Sequence, residues 1–142
     1  IFSYKSSSRN IFNIDSSISY GGFFNGNKFS FYNELAFRRQ PIFNTSLKFN
    51  FDSIKLPSPY SSKDIWLISP KFEFTFSKKT FWTTYIQYSS QSEDLGINSR
   101  LQFRFAPLSD LYLVYNDNYY ASNSIMPRFR SINLKLTYWF NI

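Results

Sequence analysis

The feature that most constrains this chain is the regular alternation of apolar and polar residues, which is clearest near its C-terminal end. In SINLKLTYWFNI, residues 131–142, every second residue from Ile132 to Phe140 is apolar, and polar residues stand between them up to Thr137. A β-strand with one apolar and one polar face explains this period of two. The class of fold then depends on what the apolar face contacts, a protein core or lipid.

The same period of two recurs along the rest of the chain. It is present in residues 12–20, 29–38, 47–52, 71–76 and 100–105, while residues 80–88 carry apolar side chains on both faces. Asn25-Gly26 is a strong hairpin signal. No segment combines helical spacing of apolar residues with helix caps. The sequence therefore predicts one all-β domain over residues 1–142, with about eight antiparallel strands.

The predicted connections between strands alternate in length. Short turns are predicted at residues 39–41, 77–79 and 107–110, and longer connections at 21–28, 53–64, 89–98 and 116–129. Transmembrane β-barrels have short periplasmic turns and longer extracellular loops. The pattern predicts an up-and-down barrel in which Asn116, Asp117, Tyr119 and Tyr120 belong to an extracellular loop.

A soluble β-sandwich is the alternative, because its strands alternate in the same way. Its inner faces would be rich in Val, Ile and Leu mixed with small residues, so that two sheets can interdigitate. Here the apolar faces carry sets such as Phe72, Phe74 and Phe76, and the chain is 23% aromatic. Tyr and Trp also gather at the predicted strand ends, as in the aromatic girdles of membrane barrels. The pattern favours lipid.

This interpretation assigns side chains to the two sides of a transmembrane barrel. The side chains predicted to face lipid are Phe29, Phe31, Phe49, Phe51, Phe72, Phe74, Phe76, Leu101, Phe103, Phe105, Leu134 and Leu136. Those predicted to face the lumen are Glu34, Arg38, Lys48, Lys71, Glu73, Arg100, Arg104 and Lys135. Basic residues predominate in the lumen set, which predicts a mild preference for anions.

Composition also bears on the possible chemistry. The chain has no Cys and no His, so disulfides, thiolate metal sites and the commonest general base are excluded. We therefore predict no catalytic residues, no metal and no cofactor; a barrel enzyme would need a carboxylate as its base. The net charge of +7 is scattered over the chain without a basic run, which argues against a nucleic-acid partner. No apolar stretch approaches the ~20 residues of a membrane helix.

The last strand carries a second pattern. Leu136, Tyr138 and Phe140 resemble the C-terminal signal that the outer-membrane assembly machinery recognises. In that signal the aromatic residue is usually the last one, whereas Asn141 and Ile142 follow here. The resemblance implies the assembly machinery as a partner of this strand.

A longer resemblance covers about the last third of the chain. The segment FRFAPLSDLYLVYNDN, residues 103–118, followed by LKLTYWF, residues 134–140, resembles the C-terminal end of Bacteroidota-type outer-membrane proteins. In these proteins a family-9-like carbohydrate-binding domain precedes a large β-barrel. The resemblance implies the outer membrane of a Gram-negative bacterium as the location, and it transfers no catalytic or sugar-binding residue to this chain.

We therefore expect an integral outer-membrane barrel that acts as a pore or transport component. The alternative is a non-conducting membrane anchor, which presents loops or a missing carbohydrate-binding domain to a partner. Besides the lipid bilayer and the assembly machinery, other outer-membrane or surface proteins are expected partners.

We expect these strands to be the C-terminal part of a larger barrel, because residues 1–5 resemble the tail of a further strand. The other possibility is a closed eight-stranded barrel with residues 1–10 as a periplasmic tail. A barrel of that size has a lumen filled by side chains.

Overall fold

The described part of the chain, residues 1–7, 9–122 and 124–140 of a computed structural model, forms one antiparallel sheet. Its nine strands follow one another in sequence order, so each strand pairs with its neighbours along the chain. The strands are β1 (Phe2–Lys5), β2 (Phe12–Phe23), β3 (Gly26–Arg39), β4 (Phe43–Lys55), β5 (Lys63–Thr75), β6 (Thr80–Ser89), β7 (Asp94–Ala106), β8 (Ser109–Ala121) and β9 (Ile125–Thr137). The prediction of an all-β, antiparallel, up-and-down arrangement is confirmed.

The strand count exceeds the predicted number by one, because residues 2–5 form a short strand of their own. Phe2 pairs with Ile18 and Lys5 with Asp15, so β1 lies along part of β2. The sheet does not close on itself, and β1 and β9 form its two edges. Barrel closure therefore stays a prediction.

Several predicted loops are instead parts of strands. The connection predicted over residues 21–28 shrinks to a turn at Phe24 and Asn25, and the one predicted over 89–98 ends where β7 begins at Asp94. Phe24 has a positive φ of 52°, a conformation that costs a bulky residue energy. The turn signals in these segments were misleading, because Gly and polar residues also occupy strand positions when backbone pairing continues past them.

The prediction of an extracellular loop at Asn116, Asp117, Tyr119 and Tyr120 is wrong, because all four lie in β8. β8 continues to Ala121 and β9 begins at Ile125, so only a short connection is left between them. Polar residues stand on both faces at this end of the two strands, which removes the alternation from the sequence although the backbone ladder continues. Asn123, within the predicted loop, and Asn141 and Ile142 lie outside the described residues.

Pro70 lies inside β5, although proline normally occupies sheet edges. Its Cα partner on β4 is Leu47, and the register there is unbroken. On the other side the ladder to β6 has a gap between the pairs Ile68–Tyr88 and Lys71–Tyr85, and it resumes in the same register. A missing N–H at Pro70 accounts for a local loss of pairing that leaves the faces unchanged.

Strand pairing divides the side chains between two faces, because directly opposite residues of an antiparallel pair point to the same side. We call the face that carries Phe31, Leu35 and Phe51 the apolar face, and the one that carries Glu34 and Lys48 the polar face. No hydrophobic side chain of the described residues is buried. The sheet therefore has no core of its own, and its apolar face has no covering layer.

Gly26 is held at a close approach between strands, which gives a test of the fold. A Cβ added there would overlap the carbonyl oxygen of Lys55 and lie 2.9 Å from Cα of Leu56, both backbone atoms. We expect Gly26→Ala to lower the free energy of unfolding by about 1–3 kcal/mol, the usual cost of overpacking. Urea unfolding followed by circular dichroism in detergent measures this.

The matched control is Gly21→Ala, since a Cβ at Gly21 meets no atom within 4 Å. This control should change the unfolding free energy by no more than about 0.5 kcal/mol. Equal losses in the two variants would contradict the close approach at Gly26.

Candidate functional site

The polar face gathers the charged residues of the sheet. The residues predicted to face a lumen all lie on it: Glu34, Arg38, Lys48, Lys71, Glu73, Arg100, Arg104 and Lys135. Alternation in the sequence therefore sorts them correctly onto one side. Whether that side lines a lumen stays a prediction.

Ion pairs link neighbouring strands across the polar face. Lys5 Nζ lies 3.0 Å from a carboxylate oxygen of Asp15, and Lys28 Nζ lies 3.2 Å from Asp52. Further pairs between strands join Lys48 to Glu34 at 3.8 Å and Arg104 to Asp110 at 3.1 Å, while Lys71 pairs with Glu73 of the same strand at 2.9 Å. Most of these side chains are half-exposed, and such pairs contribute little stability individually. Their effect is to offset opposite charges that lie next to one another on the polar face.

Basic residues exceed acidic ones on this face. Within the described part of the chain, Arg38, Arg100 and Lys135 have no carboxylate within salt-bridge distance, while the polar-face carboxylates Asp15, Glu34, Asp52, Glu73, Asp94 and Asp110 all do. The polar face therefore carries a residual positive charge, which attracts anions.

The apolar face consists of aromatic rows that run across the strands. All the residues predicted to face lipid lie on it: Phe29, Phe31, Phe49, Phe51, Phe72, Phe74, Phe76, Leu101, Phe103, Phe105, Leu134 and Leu136. Phe51 lies 4.3 Å from Trp66 between ring centroids, and Phe74 stacks on Trp82 at 5.3 Å. The rings pack against rings of the neighbouring strands on the same face, and no second layer of the described residues covers them. Contact with lipid itself stays a prediction.

Polar residues in the middle of the apolar face are hydrogen-bonded to one another. Ser99 Oγ accepts a hydrogen bond from the indole N–H of Trp82 at 2.7 Å and shares a second bond of 2.9 Å with Thr84 Oγ1. The side-chain amide of Asn33 donates to Ser16 Oγ in the same way. These groups therefore have partners within the sheet and do not require water.

A compact polar cluster lies on the apolar face at one end of β8 and β9. Asp117 is only 1% exposed, and its Oδ2 accepts hydrogen bonds from the hydroxyls of Tyr115 at 2.5 Å and Tyr119 at 2.6 Å. Arg130, opposite it on β9, lies 2.7 Å from the same oxygen. A buried carboxylate needs such partners, because an unpaired one is costly to desolvate. The cluster thus joins a buried carboxylate to two tyrosine hydroxyls and to the exposed guanidinium of Arg130.

The sequence contained a signal for this cluster that the loop interpretation missed. Tyr115, Asp117 and Tyr119 are spaced by two residues, so they share one face of any strand that includes them. Once β8 is known to continue to Ala121, a carboxylate flanked by two hydroxyls follows directly.

Aromatic residues also mark the opposite end of the apolar face. Tyr138 stacks on Phe105 with centroids 6.3 Å apart and meets Phe140 at 4.6 Å. These residues follow the end of β9, and the backbone N–H of Trp139 donates to Ser109 Oγ at 3.1 Å. Leu136, in β9, is exposed at the edge of the sheet. The predicted assembly signal, Leu136, Tyr138 and Phe140, thus forms an accessible edge segment, while its recognition stays a prediction.

A β-bulge between β8 and β9 redirects one arginine. The register shifts after the pair Asn118–Phe129, and Arg128 is the unpaired residue. Its guanidinium lies 3.3 Å from Asp94 of β7 and 5.1 Å from the ring centre of Tyr120. Bulges commonly re-aim a side chain in this manner. The polar face therefore ends in a compensated charge pair on this side.

The described residues lack two other features that would bear on function. They contain no helix long and apolar enough to cross a membrane. They contain no group of three or more His, Cys, Asp or Glu side chains that could hold a metal ion. The chain matches no protein-family model, no curated protein and no solved structure.

The hydrogen bonds of Ser99 allow the medium at the apolar face to be tested. In Ser99→Ala the indole N–H of Trp82 and the hydroxyl of Thr84 lose their partner. In hydrocarbon no water replaces it, so we expect a loss of about 2 kcal/mol of unfolding free energy. In water the loss should stay below about 0.5 kcal/mol, the usual range for surface changes.

Thr80→Val is the matched control, since Thr80 lies on the same face of β6 and its hydroxyl makes no hydrogen bond within the described residues. Unfolding of both variants in detergent or lipid bilayers, followed by intrinsic tryptophan fluorescence, gives the comparison. A neutral Ser99→Ala variant would contradict a lipid-facing surface.

Proposed function

We propose that the chain is part of an integral outer-membrane β-barrel that serves as a pore or transport component. In this proposal the apolar face contacts lipid and the polar face lines an aqueous interior. The observation that carries the proposal is the uncovered apolar face, since none of the described hydrophobic side chains is buried. A contiguous apolar surface much larger than a few hundred Å² marks a membrane or protein contact.

Three features favour lipid over a second protein layer. Several polar groups of the apolar face have partners within the sheet, namely the set of Trp82, Thr84 and Ser99 and the pair of Asn33 and Ser16, as hydrocarbon favours. Its large rings leave few small residues for the interdigitation that two packed sheets need. Tyrosines stand at both ends of the face, and the chain from Arg130 to Tyr138 spans ~26 Å if extended at about 3.3 Å per residue. A strand tilt of about 40° reduces this to ~20 Å, close to the apolar band of outer-membrane barrels.

The lining of one cavity supports the polar face as the inner one. A cavity of about 280 Å³ on that face is lined by Ser17 of β2, Asp52 of β4 and Ser89 of β6, among others. On a flat sheet β2 and β6 would lie about 19 Å apart, at ~4.8 Å per strand. A sheet that curls toward its polar side, as the wall of a barrel does, would bring residues of both strands to one such cavity.

The open edges point to a larger assembly of strands. Unpaired backbone groups are not tolerated in hydrocarbon, so both edges of the sheet must be paired in a membrane. Nine strands in up-and-down order leave β1 and β9 running in the same direction. Antiparallel closure then requires an odd number of further strands between them. We propose that this sheet is one part of a larger barrel, whose lumen is wide enough to hold water.

The location in the outer membrane of a Gram-negative bacterium belongs to the same proposal. It is supported by the resemblance of residues 103–118 and 134–140 to Bacteroidota-type barrels and by the accessible segment Leu136, Tyr138 and Phe140, which we propose as the contact for the assembly machinery. A non-conducting anchor that presents loops is less favoured, because most connections at the predicted outer end are short hairpins.

Single cysteine variants test which medium each face contacts, because the chain contains no native Cys. We propose spin labels at Lys48→Cys, Phe49→Cys, Asn50→Cys and Phe51→Cys in β4, measured by electron paramagnetic resonance in lipid vesicles. Labels at positions 49 and 51 should be more accessible to dissolved oxygen, which concentrates in lipid. Labels at 48 and 50 should be more accessible to a water-soluble nickel chelate. Water accessibility at all four positions would overturn the proposal.

Ion selectivity tests the pore. The residual positive charge of the polar face should make conductance mildly anion-selective, which reversal potentials in a potassium chloride gradient across a planar bilayer measure. Arg100→Glu should shift the reversal potential toward cations, since Arg100 lies on the polar face without a carboxylate partner among the described residues.

Lys79→Glu is the control for this shift. Lys79 lies in the turn between β5 and β6, and its substitution changes the net charge by the same amount. It should leave selectivity nearly unchanged. Cation selectivity of the unaltered protein, or equal shifts in both variants, would contradict an aqueous path along the polar face.

A further inference from the structure

A groove without charged residues lies on the polar face over β6, β7, β8 and β9. A groove of about 230 Å³ is lined there by amide and aromatic side chains: Tyr85, Gln87, Asn98, Asn116, Asn118 and Phe129, with Gly96 at its floor. No Lys, Arg, Asp or Glu lines this groove. We call it the amide groove. Its composition differs from that of the ion pairs elsewhere on the polar face.

Gly96 creates the depth of the groove. It lies between Gln87 of β6 and Asn118 of β8 in the ladder, and a Cβ at this position would come within 3.0 Å of Asn118 Oδ1. Any other residue would therefore fill the space between the two amide side chains. The absence of a side chain at Gly96 leaves a depression with polar walls.

The amide groups along the groove are arranged in a row across the strands. Asn98 donates a hydrogen bond to Asn116 Oδ1, and Asn116 donates to Ser131 Oγ at 3.3 Å. Gln87 Oε1 accepts from the hydroxyl of Tyr85 at 3.2 Å, which orients the Gln87 amide and leaves its N–H groups available. The side-chain oxygen of Asn98, Oδ1, has no hydrogen-bond partner within the described residues. Gln87 thus offers a donor and Asn98 an acceptor along the groove.

Aromatic rings stand at two sides of this row. Phe129 lies opposite Asn118 and is 56% exposed, and Tyr85 lies opposite Asn98 and is 36% exposed. At one end of the groove the charges of Asp94 and Arg128 compensate each other at 3.3 Å. The groove therefore offers flat apolar surfaces and neutral hydrogen-bonding groups, with no net charge to attract an ion.

We propose that the amide groove is a binding subsite for a neutral polyhydroxylated solute, an oligosaccharide. Side-chain amides match adjacent hydroxyl groups, since each amide offers both a donor and an acceptor. Exposed aromatic rings contact the apolar faces of sugar rings. The proposal rests on the proposed function only in that the polar face must be open to solutes.

The test uses the whole protein purified from membranes into detergent and labelled with ¹⁵N. Maltotriose, cellotriose and mannotriose are the neutral probes, and trigalacturonate is the charged comparator. We expect at least one neutral trisaccharide to cause saturable shifts of the side-chain amide signals of Asn98 and Asn116, with weaker effects from trigalacturonate. No saturable shift with any neutral probe would overturn the proposal.

Two variants and a control locate the binding. Gly96→Val fills the groove and Asn98→Ala removes one amide, and each should weaken binding by about tenfold, the effect of losing one or two hydrogen bonds. Gly21→Val is the control, because Gly21 lies on the same face and a Cβ there meets no atom within 4 Å. Unchanged affinity in both groove variants would place the sugar elsewhere and overturn the proposal.

Failure of this inference is distinguishable from failure of the proposed function. If the sugar shifts the amide signals but the spin labels on both faces of β4 are accessible to water, the subsite is supported and the membrane proposal is contradicted. If label accessibility alternates along β4 but no sugar shifts the amide signals, the membrane proposal is supported and the subsite is contradicted.

Discussion

The structure depends on a cross-strand register that keeps one class of side chain on one side of nine consecutive strands. A slip of one residue in any pair would move a whole strand's apolar set to the opposite face. The pairing of β3 with β4 shows the constraint, since Phe31 meets Phe51 on one face while Glu34 meets Lys48 on the other. The two register shifts, after Arg104 and after Asn118, both lie near strand ends. The middle of every strand therefore keeps its alternation.

The apolar face supplies partners for several of the polar residues that interrupt it. On the apolar face, Ser99 serves both Trp82 and Thr84, and Asn33 bonds to Ser16. Leaving those groups without partners away from water would cost more than any one ring contact contributes. The aromatic residues that fall on the polar face are useful in a different way, since Tyr85 and Phe129 flank the amide groove. The residues that break the alternation thus form the hydrogen-bonded groups of the apolar face and the aromatic sides of the amide groove.

The end of the sheet formed by β7, β8 and β9 concentrates those exceptions. On the apolar face Asp117 joins two tyrosines to Arg130, and on the polar face the bulge brings Arg128 to Asp94. The first cluster connects β8 to β9, and the second reaches past β8 to join β9 to β7. They replace apolar contacts by charge-assisted hydrogen bonds, which are the stronger kind at a partly buried site. This end therefore stays paired although its sequence resembles a polar loop.

The sequence by itself determined the strands with a clear period of two, the assignment of residues such as Phe49 and Lys48 to opposite faces, and the up-and-down order. These follow from local rules, because alternation fixes which way a side chain points once a strand exists. Only the tertiary structure decided that Asp117 belongs to a strand, that Gly26 stands at a close approach, and that Gly96 lies between two amides. Those facts depend on which residues of neighbouring strands meet. Pairing is a non-local property, and the local pattern of one strand does not contain it.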